Sequence, residues 1–245
     1  MWQQNQNLYH PHSQTPFKIS RSKIDLFLEC PRCFYLDRRL GVSRPSWPAF
    51  TLNLAVDILL KKEFDLLRQK KEAHQLMKQY QIDALPLQHP DLKKWRNNFQ
   101  GQTYHHQPTN LTITGAIDDL WQNSKKELLI VEYKATSTEQ EISLEDKYKQ
   151  AFKRQVEVYQ WLFKKNGFQV SNTAYFVYAN AGKNRPSFDG KLEFELSIIP
   201  YQGNSSWVEP TIFKIKKCLD NNQIPPSRQE CEYCYYRQTI NQANK

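Results

Sequence analysis

The sequence predicts an α/β domain with a mixed central β-sheet flanked by helices, its two ends joined by a four-cysteine metal site. Three observations carry that expectation. Two β-like runs around a polar turn fill residues 111–134, and two further apolar runs follow at 173–179 and 192–199. Helical patterns lie before and after the paired runs, near 52–80 and 146–166. Cys-x-x-Cys pairs stand near opposite ends of the chain, at Cys30/Cys33 and Cys231/Cys234.

Length and composition bound the rest. A chain of 245 residues suits one α/β domain with an appended element, and 39% apolar against 24% charged residues is ordinary for a soluble protein. The formal charge of +9 favours a polyanionic partner, nucleic acid before membrane. No stretch approaches eighteen consecutive apolar residues, and residues 1–14 lack the basic-then-apolar layout of a signal peptide. The expected setting is cytoplasmic, with reduced thiols and no membrane partner. Only seven glycines, and no phosphate-cradling loop, argue against a nucleotide-binding Rossmann unit; no internal repeat or Ser/His/Asp signature is visible.

Residues 1–16 are Gln/Asn-rich and read as a loose tail, with order expected from Phe17 and a single domain over 17–237. Ser22 is placed to cap a short helix bearing Ile24, Phe27 and Leu28, with Asp25 at N3. Cys30-Pro31-Arg32-Cys33 follows, Pro31 suiting the first turn of a second helix. One Cys-x-x-Cys could be two small buried residues. Two such units supply four soft thiolates, enough for a tetrahedral Zn²⁺ or an iron–sulfur cluster that staples the ends together. Cys218, within a helical pattern, is a packed thiol rather than a ligand.

The 52–80 pattern puts Asp57 on a mostly apolar first half, where a carboxylate is either paired, with Lys61 at i+4, or holds a metal. Residues 81–110 are polar and broken by prolines. A short helix over 90–99 carries Trp95 and Phe99 on one side, with Lys93, Lys94 and Arg96 nearby; it is read as lying on the sheet rather than stacking on bases. His105 and His106 are strand neighbours facing opposite ways, a poor metal pair.

Leu111–Trp121 alternates as a half-buried strand, 123–127 is a polar turn, and Leu128–Tyr133 is a more central strand. With a five-residue loop, Asp118 lies opposite Glu132, and Lys134 shares their face; Ile117, Val131 and Tyr133 take the other. Two carboxylates and an ammonium on a rigid sheet suit Mg²⁺ or Mn²⁺ and phosphodiester chemistry, although a surface salt bridge is the commoner fate of such residues. On the helix from 146 to 166, ending at Gly167, Tyr148, Phe152, Gln155, Tyr159, Leu162 and Phe163 fall within about one 100° arc. Gln155 is thus a polar group on a core-facing stripe, and it and Tyr159 can be aimed at the carboxylates. Lys147, Lys149, Lys153 and Arg154 add positive charge that could meet a nucleic-acid backbone. A closing helix spans 207–219, and 238–245 reads as a second tail.

Gly115-Ala-Ile-Asp118, then Glu132-Tyr133-Lys134, then Gln155-Val-Glu-Val-Tyr159 resembles the PD-(D/E)XK nuclease superfamily. The likeness is to its RecB-type branch of recombination and CRISPR-adaptation exonucleases, whose pattern is G-x-I-D, E-x-K and Q-x-x-x-Y. The resemblance implies a restriction-endonuclease-like core and metal-dependent hydrolysis of DNA. Asp118, Glu132, the Tyr133 carbonyl and Asp57 would then form the shell of a Mg²⁺ or Mn²⁺. Asp57 stands where that branch has a histidine. Lys134 would position the attacking water, and Gln155 and Tyr159 would shape the site. The branch often carries a [4Fe–4S] cluster on one early and three late cysteines, whereas Cys30, Cys33, Cys231 and Cys234 split two and two. DNA, and a helicase or a recombination or defence protein, are the implied partners. Two rivals stand beside this reading: a catalytically inactive nucleic-acid-binding or scaffold protein of the same fold, and a redox or iron–sulfur carrier, which leaves the carboxylates unexplained.

Overall fold

Between Leu111 and Val131 the chain contributes to two different sheets, and the break at residues 116–118 is what delivers Asp118 to the site. The computed structural model describes residues 7–46, 48 and 50–243, and of Lys147 only the backbone. In chain order the elements are β1 (Phe17–Ser20), α1 (Arg21–Glu29), α2 (Pro31–Arg39), α3 (Thr51–Lys70), α4 (Gln75–Gln79), β2 (Leu85–Pro86), α5 (Leu92–Trp95) and β3 (Gln102–His106). Then come β4 (Leu111–Gly115), β5 (Asp119–Gln122), β6 (Leu128–Thr136), α6 (Gln150–Lys165), β7 (Thr173–Ala181), β8 (Phe194–Gln202), α7 (Val208–Asp220) and α8 (Glu232–Ala243).

Two compact units result, one from residues up to 48, 104–114 and 206 onward, the other from 49–103 and 115–205. In the first, β1 pairs in parallel with β4, Phe17 against Leu111 through Ser20 against Thr114, in a sheet ordered β1-β4-β3. Helices α1, α2 and α7 pack on one another. Phe27 and Phe34 meet edge to face at 5.3 Å, a geometry that aromatic quadrupoles favour. In the second unit the sheet is ordered β2-β5-β6-β7-β8. Only β6 and β7 are parallel, so the sheet is mixed as expected. Side chains alternate across it. Leu129, Val131, Tyr133, Val177 and Ala179 face Val56, Leu60 and Phe64 of α3 and Met77 of α4 in one buried cluster. The even-numbered face of β6 meets α6, where Lys134 Nζ lies 4.7 Å from the Phe152 ring.

Several expectations are corrected. The expected single strand from Leu111 to Trp121 is two strands in separate sheets. The helical run from 52 to 80 breaks at Lys71, whose φ of 57° is left-handed, and its N–H and that of Glu72 close onto Arg68 and Leu67 carbonyls. A new helix, α4, then starts at His74, whose Nδ1 accepts from the Leu76 N–H. Ser20 rather than Ser22 occupies the N-cap of α1. The helix near 90–99 is a single turn, so Trp95 is buried while Phe99 is 89% exposed. Tyr148 precedes α6 and is 91% exposed, outside the stripe assigned to it. Of the expected N-terminal tail, residues 1–6 lie outside the described residues; from Tyr9 onward the chain packs, the Tyr9 hydroxyl donating to Asp220 at 2.6 Å. At the other end helix α8 runs on through residue 243.

Candidate functional site

Glycine at position 115 is a requirement of packing. A Cβ there would stand 2.5 Å from Tyr159 Cε1, so the ring of α6 lies directly on the backbone that leads to Asp118. Gly101, with φ of +62°, presses on the Gly115 carbonyl from the other side. The Ile117 N–H donates to Trp95 O at 3.1 Å, and Arg96 Nε donates to Asp118 O at 2.8 Å. The loop 115–118 is therefore clamped by α5 and α6, and Asp118 leaves it as a bend residue just before β5.

The hairpin register matches the expected one. Asp119 pairs with Val131 and Gln122 with Leu128 around the five-residue turn 123–127, which carries the ladder back to Asp118 beside Glu132. Asp118 Oδ2 accepts the Tyr133 N–H at 3.0 Å, and Oδ1 lies 3.3 Å from Lys61 Nζ. Lys61 also pairs with Asp57 at 2.8 Å, so one ammonium bridges two carboxylates. Burial first, and the Asp118 charge next, push the Asp57 carboxyl above its ordinary range, against the pull of Lys61. Burial opposes the charge on Lys61, but Asp118 and Asp57 outweigh it and hold that amine above the usual lysine range.

Glu132, midway along β6, is fully buried and pairs with Lys134 Nζ at 2.9 Å. Lys134 in turn lies 3.4 Å from Gln155 Oε1, and Gln155 Nε2 donates to the Tyr159 hydroxyl at 3.2 Å. The five residues Asp118, Glu132, Lys134, Gln155 and Tyr159 thus border one length of β6, in two linked groups: Asp57–Lys61–Asp118, and Glu132–Lys134–Gln155–Tyr159. A cavity of about 340 Å³ opens here, lined by Asp57, Tyr133, Lys134, Lys149, Phe152 and Tyr178 among others. The Tyr133 side chain turns away, its hydroxyl donating to buried Asp119 at 2.7 Å; burial first, and the Asp119 charge next, raise that phenol well above its usual range. Arg68 and Arg96 neutralise Asp119, which removes Arg96 from the candidates for phosphate contact. Lys149 and Lys153 are likewise engaged, with Asp146 and Glu145.

Asp57, which lines the cavity, and Asp118 and Glu132 beside its wall residue Tyr133 are the hard oxygen donors that a divalent ion of the Mg²⁺ or Mn²⁺ kind requires. Among the described residues they do not close into a compact set of ligand atoms. An open set fits an ion that keeps several waters and takes the remaining ligands from substrate phosphate. Lys61 is the residue whose part in the site the sequence under-reported: its i+4 spacing to Asp57 was visible, its reach to Asp118 was not.

The cysteines do close. Cys30 ends α1 and begins α2, Cys33 lies one turn on, and Cys231 and Cys234 open α8. All four are buried, their sulfurs within 4.8 Å of one another. Burial disfavours the charged form of Cys30, but the N–H groups of Cys33 and Arg228 outweigh it and draw that thiol down to about 7; burial pushes Cys234 up. Cys218 stands outside the group, its thiol pushed up to about 11 by burial, as expected of a packed residue.

This arrangement, a mixed sheet bearing an acid, an E-x-K strand and a Q-x-x-x-Y helix, is matched by the family model of the PD-(D/E)XK nuclease superfamily over residues 52–239. The chain belongs to that superfamily. No curated protein sequence matches it significantly. Among solved structures it is similar to the crystal structure of SSO0001, at 15% identity and a TM-score of 0.40, over 93% of this chain and 87% of that one.

Proposed function

We propose that this chain is a RecB-type nuclease that hydrolyses DNA phosphodiester bonds with Mg²⁺ or Mn²⁺, working with a helicase or another recombination, repair or defence protein. The observation that carries the reading is the fully buried Glu132 paired with Lys134 one residue beyond the amide that holds Asp118. Burying the Glu132 carboxylate is costly for stability alone, and its pairing with a partly exposed ammonium that lines a cavity points to use.

Asp118, Glu132 and the Tyr133 carbonyl, with Asp57, would hold the ion, which when bound polarises the phosphodiester and acidifies water. The chain's own groups do the rest. Lys134, aimed by Glu132 and Gln155, orients the attacking water and meets the negative charge that grows on the phosphate. Gln155 is itself fixed by Tyr159, which stands on Gly115, so the helix sets the lysine's position through two contacts. Asp118 is held in place by the Tyr133 N–H on one oxygen and Lys61 on the other. Closing the cavity with substrate excludes water and strengthens each of these interactions.

One observation favours the inactive-scaffold reading. Lys61 bridges Asp57 and Asp118, an ion pair that holds both carboxylates in place as a binding module would. Linear and circular DNA, single- and double-stranded, incubated with anaerobically purified protein and Mn²⁺ decides between the two. Cleavage that disappears in Glu132→Ala and Lys134→Ala is the expected result, and circular substrates separate endonuclease from exonuclease. DNA binding without cleavage by folded, metal-supplied protein would establish the scaffold instead.

A further inference from the structure

The second metal centre, at the cysteines, can be assigned from its geometry, independently of what the carboxylates do. The cluster that the RecB resemblance implies is a cube. There, each thiolate binds a different iron, and the Fe–S bonds diverge outward from the corners, which holds the ligand sulfurs well apart. Here all four sulfurs lie within 4.8 Å of one another, and three of the pairs touch. Cys33 Sγ lies 3.6 Å from Cys231 Sγ and 3.7 Å from Cys234 Sγ, and Cys30 Sγ lies 3.9 Å from Cys234 Sγ. These separations are far beyond a disulfide bond of about 2 Å, and all four thiols are free. They match another figure. Four bonds of about 2.3 Å at the tetrahedral angle set ligand sulfurs roughly 3.8 Å apart, which is the edge of a zinc tetrathiolate.

The chain placement agrees with one ion. Each Cys-x-x-Cys opens a helix, so residues i and i+3 turn their thiols to the same side, and two such pairs face each other as the four corners of a tetrahedron. The [4Fe–4S] arrangement of one early and three late cysteines is not available, since Cys218 stands outside the group. A guanidinium completes the surroundings. Arg44 Nη2 lies 3.6 Å from Cys231 Sγ, while its Nη1 donates to Glu29 at 2.5 Å and its Cζ lies 4.5 Å from the centroid of the Tyr233 ring. Four thiolates around a divalent ion leave an excess of two negative charges, and a fixed, always-charged donor at a ligand sulfur offsets part of it.

We propose that Cys30, Cys33, Cys231 and Cys234 bind a single Zn²⁺ as a closed tetrahedral tetrathiolate, in place of an iron–sulfur cluster, and that Arg44 is a positioning residue for Cys231. Binding is ligand exchange without electron transfer: four Zn–S bonds form, and the protons of those cysteines that are still thiols go to solvent.

The test is metal content. The full chain is expressed with both iron and zinc supplied, purified without oxygen, and assayed for metals, acid-labile sulfide and visible absorption. One zinc per chain, without sulfide or brown colour, is expected. Exchange with Co²⁺ should then give the intense visible bands of a tetrahedral thiolate site, a readout that needs no cysteine variant to fold. Arg44→Ala should release zinc to a competing chelator roughly 10- to 100-fold more readily, with Arg44→Lys between it and the parent. Four irons with matching sulfide would overturn the proposal, as would one iron without sulfide, or folded metal-free protein with four titratable thiols. None of these readouts depends on cleavage of DNA, so failure here leaves the nuclease reading standing, and the reverse.

Discussion

The protein holds two clusters of side chains of metal-ligating type built on opposite principles. In the first unit four thiols lie within 4.8 Å of one another, three of the pairs in van der Waals contact, and the one cation described beside them, Arg44, meets the Cys231 sulfur from outside the set. In the second, three carboxylates are held apart and each is already engaged by a lysine, Lys61 or Lys134. The thiol set is complete without any outside ligand, and completeness is what a structural ion needs. The carboxylate set is incomplete and neutralised, which keeps it soluble in its own fold while leaving coordination positions for water and substrate. Burial alone does not distinguish them, since Glu132 is as deeply buried as Cys30. What separates structural from reactive is whether the donors satisfy each other's geometry.

The comparison breaks most sharply if the cysteines are removed. Ion binding by such sites is worth on the order of 10 kcal/mol, so Cys33→Ser with Cys231→Ser should abolish hydrogen-exchange protection of α1, α2 and α8 while β6 and β7 stay protected. Equal loss across both units would show that the thiol site supports more than its own unit. Next in size, Glu132→Gln should lower cleavage by about 10³-fold, leave the zinc content unchanged, and shift the melting temperature little or upward. Gly115→Ala comes third: the new methyl overlaps Tyr159, and overpacking of this kind costs about 1–3 kcal/mol. Tyr159→Leu should restore part of that loss in a double-mutant cycle. The smallest effect concerns pH. Because burial and the Asp118 charge hold the Asp57 carboxyl above its ordinary range, acidification protonates it sooner than an ordinary carboxylate, so affinity for Mn²⁺ should fall as the pH is lowered. Asp57→Asn should weaken Mn²⁺ about tenfold at neutral pH, a difference of about 1.4 kcal/mol, and flatten the pH dependence in a calorimetric titration.

Local periodicity made much of this legible. The hairpin register, Pro31 opening α2, Gly167 closing α6, the start of β7 and, to within one residue at each end, α7 all follow from spacing and turn chemistry, which act over a few residues. The assignment of Leu111–Gly115 and Asp119–Gln122 to different sheets was not legible, because both read as half-buried alternation and only a partner distant in sequence, β1, decides between them. The end of α3 at Lys71 was hidden for a related reason. Lysine carries no helix-stop signal, and the left-handed turn there is stabilised by backbone contacts. Among the candidate site residues, the two carboxylates and Lys134 emerged from strand geometry. Lys61 and Arg44 did not, since a long basic side chain reaches targets that its own helix or loop does not specify.

The closed thiol site also dictates an order of events. Cys30 and Cys234 are separated by 204 positions, and at roughly 5–20 residues per second a ribosome needs on the order of 10–40 s between them. Over that interval the early pair is exposed with half a coordination shell. The unit spanning 49–103 and 115–205 has all its residues before the other does, because the latter awaits everything after position 206. An ion held by all four thiols would therefore have to wait for Cys234, and a chain interrupted before Cys231 would carry the residues of the second unit's candidate site with only the early half of the thiol set.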